Sequence, residues 1–195
     1  MRDIMNLGLK LLLICVVAAA ALGATYSVTK DPIAQYEEEA AKAANQAVCT
    51  EATDFVEINL GDFQSQKAWN ESYSYITQVF KAQKDGETLA YVIKVDGTGY
   101  GGTIAMTAGV DLTGKFTGMV IDSMNETPGL GSNASKDDFR NQYTGKSTEA
   151  ALTVTKNDPA NDTEIKALSG ATITSRAVTD AMNVAGAFAQ AFLLQ

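Results

Sequence analysis

The chain contains no histidine, and that single absence removes several kinds of chemistry at once. A Ser-His-Asp triad, a His-paired catalytic thiol and every His-containing metal site are excluded. Two cysteines are present, too few to ligate an iron–sulfur cluster unaided. Cys15 falls inside an apolar run and Cys49 well beyond it, so no disulfide between them is expected, and Cys49 reads as a small buried apolar residue. Positive charge is also scarce: 15 basic residues stand against 23 acidic ones, a formal net charge of −8. Such a surface repels phosphates, which argues against a nucleic-acid partner. Internal repeats and low-complexity linkers are missing too.

What the N-terminus has instead is a long apolar run. No charge occurs from Leu11 to Val28, and the apolar character extends back through Leu9 and Leu7 around Lys10, which can snorkel to an interface. A cleaved signal peptide would share this core, with small residues near its end at Ala21 to Ala24. A lipoprotein cleavage site at Cys15 would want a small residue where Ile14 stands, and more apolar residues follow it. The expectation is a retained single-pass anchor over residues 1–29. Arg2 and Lys10 against Asp3 leave that segment at +1 and the remainder at −9. Positive charge on the N-terminal flank puts that end in the cytoplasm and the acidic domain outside it.

Residues 30–50 predict a membrane-proximal helix, with Asp31-Pro32 as its start signal and apolar positions at helical spacing up to Val48. From residue 51 the period changes to two. Strands are expected at Phe55–Leu60, Tyr73–Ala82, Thr88–Val95, Gly102–Asp111 and Lys115–Met124. The second and third are joined by Asp85-Gly86, a hairpin signal. Ser135 is expected to cap a helix over 135–143 with Asp137 and Asp138 in its first turn. A short strand near Ala151–Thr155, a polar loop and a C-terminal amphipathic helix over Ile173–Leu194 complete the pattern. Trp69 reads as core. The fold class is α+β: one membrane helix, then a domain over 51–195 with a mostly antiparallel sheet and packed helices.

Three segments carry chemistry. Ser169-Gly170-Ala171-Thr172 precedes the last helix and brings a hydroxyl and free backbone N–H groups to a helix N-terminus, where a phosphate is stabilised. By itself it also reads as an ordinary helix start in which Ser169, Thr172 or Thr174 is the N-cap. Asn125-Glu126-Thr127-Pro128-Gly129-Leu130-Gly131 follows a strand, and its Pro128 and glycines fix a tight loop able to approach a flat ligand. Gly97-Thr98-Gly99-Tyr100-Gly101-Gly102 is a glycine-rich bend that does not fit the dinucleotide fingerprint, since no βαβ unit surrounds it.

Together and in this order, the anchor, the Gly99–Gly102 bend, the Glu126–Gly131 loop and Ser169-Gly170-Ala171-Thr172 resemble the RnfG type of subunit, the covalent-FMN subunit of the membrane electron-transport complex called Rnf. More distantly they resemble the C subunit of the sodium-pumping NADH:quinone reductase. The resemblance implies an FMN joined by a phosphoester to the last threonine of that motif, Thr172, with Ser169, Gly170, Ala171 and Thr174 around it. It further implies ring contacts from the loop, through Glu126, Thr127, Gly129 and Leu130, with Tyr100 nearby. Family members often carry an aspartate three residues before the motif; this chain has Lys166. The implied role is an electron relay in a complex coupling ferredoxin:NAD electron transfer to Na⁺ or H⁺ export. Its partners would be the other membrane and peripheral subunits, with a flavin transferase for maturation. No acidic residue interrupts the apolar run, so no ion path is expected in it. A stand-alone extracytoplasmic FMN carrier and a non-redox anchored scaffold are the other readings of the same residues.

Overall fold

The computed structural model describes residues 2–194. It divides into two compact units, one up to Ala41 and one from Lys42 onward. The described residues of the first unit are helical, part of α1 (Arg2–Val48). α1 is the one helix among the described residues long and apolar enough to cross a membrane, and its large apolar side chains from Ile4 to Tyr36 are exposed. Pro32 lies inside α1 rather than opening a new helix. A proline costs the backbone bond to the carbonyl four residues earlier, and here the helix-forming runs on both sides continue through it. Thr25, Ser27 and Thr29 each donate a hydroxyl to the carbonyl four residues back.

The second unit is built on a five-stranded antiparallel meander in the spatial order β1-β2-β3-β4-β5. The strands are β1 (Asp54–Ile58), β2 (Ile76–Lys84), β3 (Glu87–Thr98), β4 (Thr103–Asp111) and β5 (Phe116–Met124). A single-turn helix, α2 (Gly61–Gln64), lies between the first two strands. After β5 come α3 (Asp137–Arg140), β6 (Thr153–Thr155), β7 (Glu164–Lys166) and the last helix, α4 (Thr172–Phe188). The β2–β3 turn places Asp85 and Gly86 at φ 52° and 85°, the primed turn whose twist suits a hairpin. At the β4–β5 turn, Asp111 Oδ1 accepts from the N–H of Thr113 at 2.8 Å and of Lys115 at 2.9 Å. Residues 71–75, expected in part as the start of β2, form a 3₁₀ turn capped by Asn70, whose Oδ1 accepts from Ser72 N at 2.9 Å. A capped local turn displaces the strand there because it satisfies backbone groups without a sheet partner.

Alternation puts Val79, Ile93, Val95, Ile104, Met106, Ala108 and Val110 into one core with Val178, Ala181, Met182, Ala185 and Phe188 of α4. Burying each large apolar side chain of this set contributes roughly 1.5–3 kcal/mol. Close approach of α4 to β3 requires Gly97, where a Cβ would lie 2.8 Å from the Ala177 carbonyl oxygen. Trp69 is half-buried in an aromatic group with Tyr73, Phe188 and Phe192. The opposite sheet face carries a smaller cluster of Val48, Cys49, Ala52, Ala82, Ala90 and Val92. Burial pushes the Cys49 thiol up, away from the thiolate form that reactivity needs.

Two further local expectations change. Helix α3 is a single turn, preceded by a 3₁₀ turn over Gly131–Ser135, and the N-cap position belongs to extended Lys136 rather than to Ser135. The 3₁₀ turn claims Ser135, and Arg140 pairs with Asp137 within the short helix. In addition, β6 has a parallel partner, β7, inside the stretch expected as loop. Three residues are too few to show a period.

Candidate functional site

The three glycine-bearing segments meet at one end of the sheet. β3 leaves the sheet into the Gly99–Gly102 bend and β4 returns from it, β5 ends at the Glu126 loop, and α4 starts opposite. Between them is an open cleft of about 500 Å³ lined by Tyr100, Glu126, Thr127, Leu130, Gly131, Gly170, Ala171, Thr172, Ile173 and Thr174. Eight of the ten residues singled out from the sequence therefore line one cavity. Ser169 and Gly129 do not; each lies one position outside the lining. Gly131 and Ile173 line it without having been singled out. Their signals were the place of Gly131 at the end of the Glu126–Gly131 loop and of Ile173, an apolar residue, in a helix's first turn.

The N-terminus of α4 opens toward the cleft. Its first intrahelical bond runs from Ser175 N to Ala171 O at 3.0 Å, so the N–H groups of Thr172, Ile173 and Thr174 precede the helix ladder. The N-cap is Ala171, which supplies no side-chain cap. Gly170 holds φ 73° just before it, a left-handed conformation natural to glycine. Of the hydroxyls, Ser175 Oγ donates to Ala171 O and accepts from Leu168 N, both at 2.9 Å. Thr174 Oγ1 donates to Glu126 Oε2 at 2.6 Å. Neither hydroxyl caps the helix. Thr172 is half-buried on the cleft wall, and its hydroxyl has no hydrogen-bond partner among the described residues.

Glu126 is buried, 8 % exposed, and both carboxylate oxygens are engaged. Oε1 accepts from Gly101 N at 2.9 Å while Oε2 receives the Thr174 hydroxyl. The loop after it is closed by Leu130 N to Thr127 O at 3.1 Å and Gly129 N to Ser132 Oγ at 2.9 Å. Gly129 holds φ 76°. Three large apolar side chains remain exposed around the cleft: Tyr100, Leu130 and Ile173.

These features fit a flat phosphate-bearing cofactor. The volume lies in the range of about 300–1,000 Å³ usual for small-molecule sites. Unpaired helix N-terminal N–H groups provide an anion subsite, exposed apolar side chains provide a surface for a planar ring, and a free hydroxyl stands beside both. Residues 99–186, which contain this whole cleft, match the family model of the FMN-binding domain, and that domain defines the class of protein. The fold agrees: the chain is similar to the crystal structure of Shewanella oneidensis NqrC, with TM-score 0.53 and 21% identity over 75% of this chain and 87% of that one. The C subunit of the Na(+)-translocating NADH-quinone reductase from Parabacteroides distasonis gives TM-score 0.55 and 23% identity over 74% and 79%.

Sequence comparison narrows the class. The chain is 38% identical over 85% of its length, and 80% of the relative's, to the G subunit of the proton-translocating ferredoxin:NAD(+) oxidoreductase complex of Clostridium ljungdahlii. It is 35% identical over 94%, and 90% of the relative's, to the G subunit of the Na(+)-translocating ferredoxin:NAD(+) oxidoreductase complex of Acetobacterium woodii. This chain belongs to the G-subunit family of ion-translocating ferredoxin:NAD(+) oxidoreductase complexes.

Proposed function

We propose that this protein is an electron-relay subunit that carries one FMN, joined through its phosphate to the Thr172 hydroxyl. The observation that carries this reading is the pairing, on one cleft wall, of an unbonded threonine hydroxyl with the open N-terminus of α4. Bound FMN supplies acceptance and release of electrons one at a time, which the side chains of this cleft do not offer.

Each residue has a part. The N–H groups at the start of α4 face the phosphate, an effect worth roughly 0.3–1 kcal/mol at an exposed helix end and up to about 2 when partly buried. That is too little to retain a cofactor through repeated turnover, which is the physical case for a covalent bond. Gly170 and Ala171 keep the segment slim enough for a transferase to reach Thr172. Thr127, Leu130 and Tyr100 form the surface for the ring, with Gly129 shaping the loop beneath it.

Attachment needs an activated phosphate, and a flavin dinucleotide is the chemical class that provides one. Thr172 Oγ1 bonds to the flavin-side phosphorus as the anhydride P–O bond breaks. The nucleoside monophosphate departs with that electron pair, and the hydroxyl proton passes to solvent. A flavin transferase would catalyse the exchange. Lys166, three residues before Ser169, is paired with Asp158, and its backbone N and O are both held by the Gln142 side chain at 2.7 and 3.3 Å.

The wider role follows the relatives' names: one relay in a complex moving electrons between ferredoxin and NAD⁺ while exporting Na⁺ or H⁺. The apolar part of α1 serves as a single-pass anchor with the N-terminus cytoplasmic and the FMN domain outside. The decisive experiment is intact mass and visible spectrum of the denatured full-length chain after co-expression with a flavin transferase. Flavin colour and one added FMN phosphoryl mass stay with the wild-type polypeptide and are lost in Thr172→Ala. Colour that survives this substitution overturns the attachment site.

A further inference from the structure

Glu126 and Thr174 line the cleft, yet their polar atoms are turned on each other. We propose that they are positioning residues: the Glu126 carboxylate clamps the first turn of α4 to the Gly99–Gly102 bend and thereby presents the Thr172 hydroxyl for modification. This rests on the reading of Thr172 as the attachment site.

The clamp joins segments far apart in the chain. One oxygen takes Gly101 N at 2.9 Å and the other takes Thr174 Oγ1 at 2.6 Å. The surrounding glycines make room for it. A Cβ on Gly131 would lie 2.5 Å from Glu126 Oε2 and 2.7 Å from Thr174 Oγ1, and one on Gly99 would overlap Glu126 Oε1. A carboxylate taken out of water without a cation needs such donors, and among the described residues Glu126 has no ion-pair partner.

The first turn of α4 needs outside support. Its N–H groups lack helical partners, and Ala171 gives no side-chain cap, so the turn is where the helix frays most readily. Thr172 is two residues from Thr174 on that turn. A displacement of about 1 Å at a reacting hydroxyl can lower a transfer rate on the order of a hundredfold.

The test uses the full-length chain, its flavin transferase and a flavin dinucleotide, following mass increase per folded chain against dinucleotide concentration. Thr174→Val and Glu126→Asp each lower the maximal rate at least about tenfold with the KM for dinucleotide unchanged. Thr174→Ser, which keeps the hydroxyl, stays within about twofold of wild type. Should the valine variant not fold, Glu126→Asp, which keeps the charge but shortens the reach, carries the same expectation. In the unmodified chain, Thr174→Val also speeds amide hydrogen exchange at Ser175, whose N–H makes the first bond of the helix, relative to the later turns of α4. Wild-type modification rates in Thr174→Val and Glu126→Asp, or unchanged exchange at the Ser175 amide, overturn the positioning role while leaving Thr172 as the site. A wild-type chain that acquires no flavin overturns the attachment reading itself, and the role of the clamp in attachment with it.

Discussion

At two ends of the sheet, glycines admit a close approach by other parts of the chain, with opposite consequences. At the cleft end, Gly99 and Gly131 clear space for the polar atoms of Glu126 and Thr174, and Gly101 packs against the Asn125 carbonyl. On the outer face, Gly109 of β4 and Gly118 of β5 are cross-strand partners, and the last turn of α1 is seated over them. Val48 O would lie 2.8 Å from a Cβ on Gly109, and the same oxygen accepts the Thr117 hydroxyl. One glycine cluster shapes a cleft open to solvent; the other closes a packed contact. The first prepares a site and the second only packs, so a glycine in a strand or bend says that something comes close without saying what.

Substitutions at these glycines sharpen the contrast. The largest effect is expected for Gly101→Ala, whose Cβ would overlap a backbone carbonyl that has no freedom to move. Overpacking of this kind costs about 3 kcal/mol or more, and thermal unfolding of the detergent-solubilised chain should show it together with loss of flavin loading. Gly109→Ala should destabilise by about 1–3 kcal/mol, since its Cβ would meet the Thr117 hydroxyl, on a side chain that can turn, and the Val48 carbonyl, at a helix end that can retreat somewhat. Loading per folded chain should stay at the wild-type level. If Gly109→Ala abolishes loading in folded protein, the two approaches are not independent and the contrast fails.

A smaller effect comes from the turn at the outer end. Burial alone would raise the Asp111 carboxyl, but the Lys115 N–H and the Thr113 hydroxyl and N–H together hold it below the usual carboxylate range. A depressed folded pKa gives stability that is present above the unfolded value of about 3.9 and lost as pH falls through the folded one. Asp111→Asn should therefore flatten the acid limb of unfolding temperature against pH, most visibly below about pH 4. The smallest effect belongs to Gly118→Ala. Its Cβ would meet only Val48 Cα, at 3.9 Å, an ordinary contact, so the change should stay within about 0.5 kcal/mol.

Much of the fold is legible because it depends on local period. The β2–β3 and β4–β5 hairpins carry turn residues and alternation in the same stretch, and α4 carries its apolar stripe over several turns. The failures are where local signal is short or loses to a neighbour. β7 has three residues and a parallel partner from β6, so neither length nor a tight turn announces it. Ser135 looks like a cap until the preceding 3₁₀ turn takes it. Pro32 looks like a helix start, although a long helix can continue through the loss of one backbone bond. Within the cleft, the residue types were readable but their assignments to one another were not. Glu126 reads as a loop carboxylate and Thr174 as a cap. Their bond spans 48 positions, and no pattern along the chain encodes it.

By itself, then, the order of amino acids settled what could be decided by counting and spacing. It gave an apolar N-terminal helix, an antiparallel α+β domain, a chain without histidine chemistry, and three glycine-bearing motifs in a recognisable order. Tertiary structure decided which hydroxyl at the start of α4 is left unbonded. Thr172, Thr174 and Ser175 are chemically alike, and only packing against Glu126, Ala171 and Leu168 consumes two of them. A hydrogen bond is satisfied by whatever partner the fold brings within about 3 Å, and that proximity is a property of the folded whole.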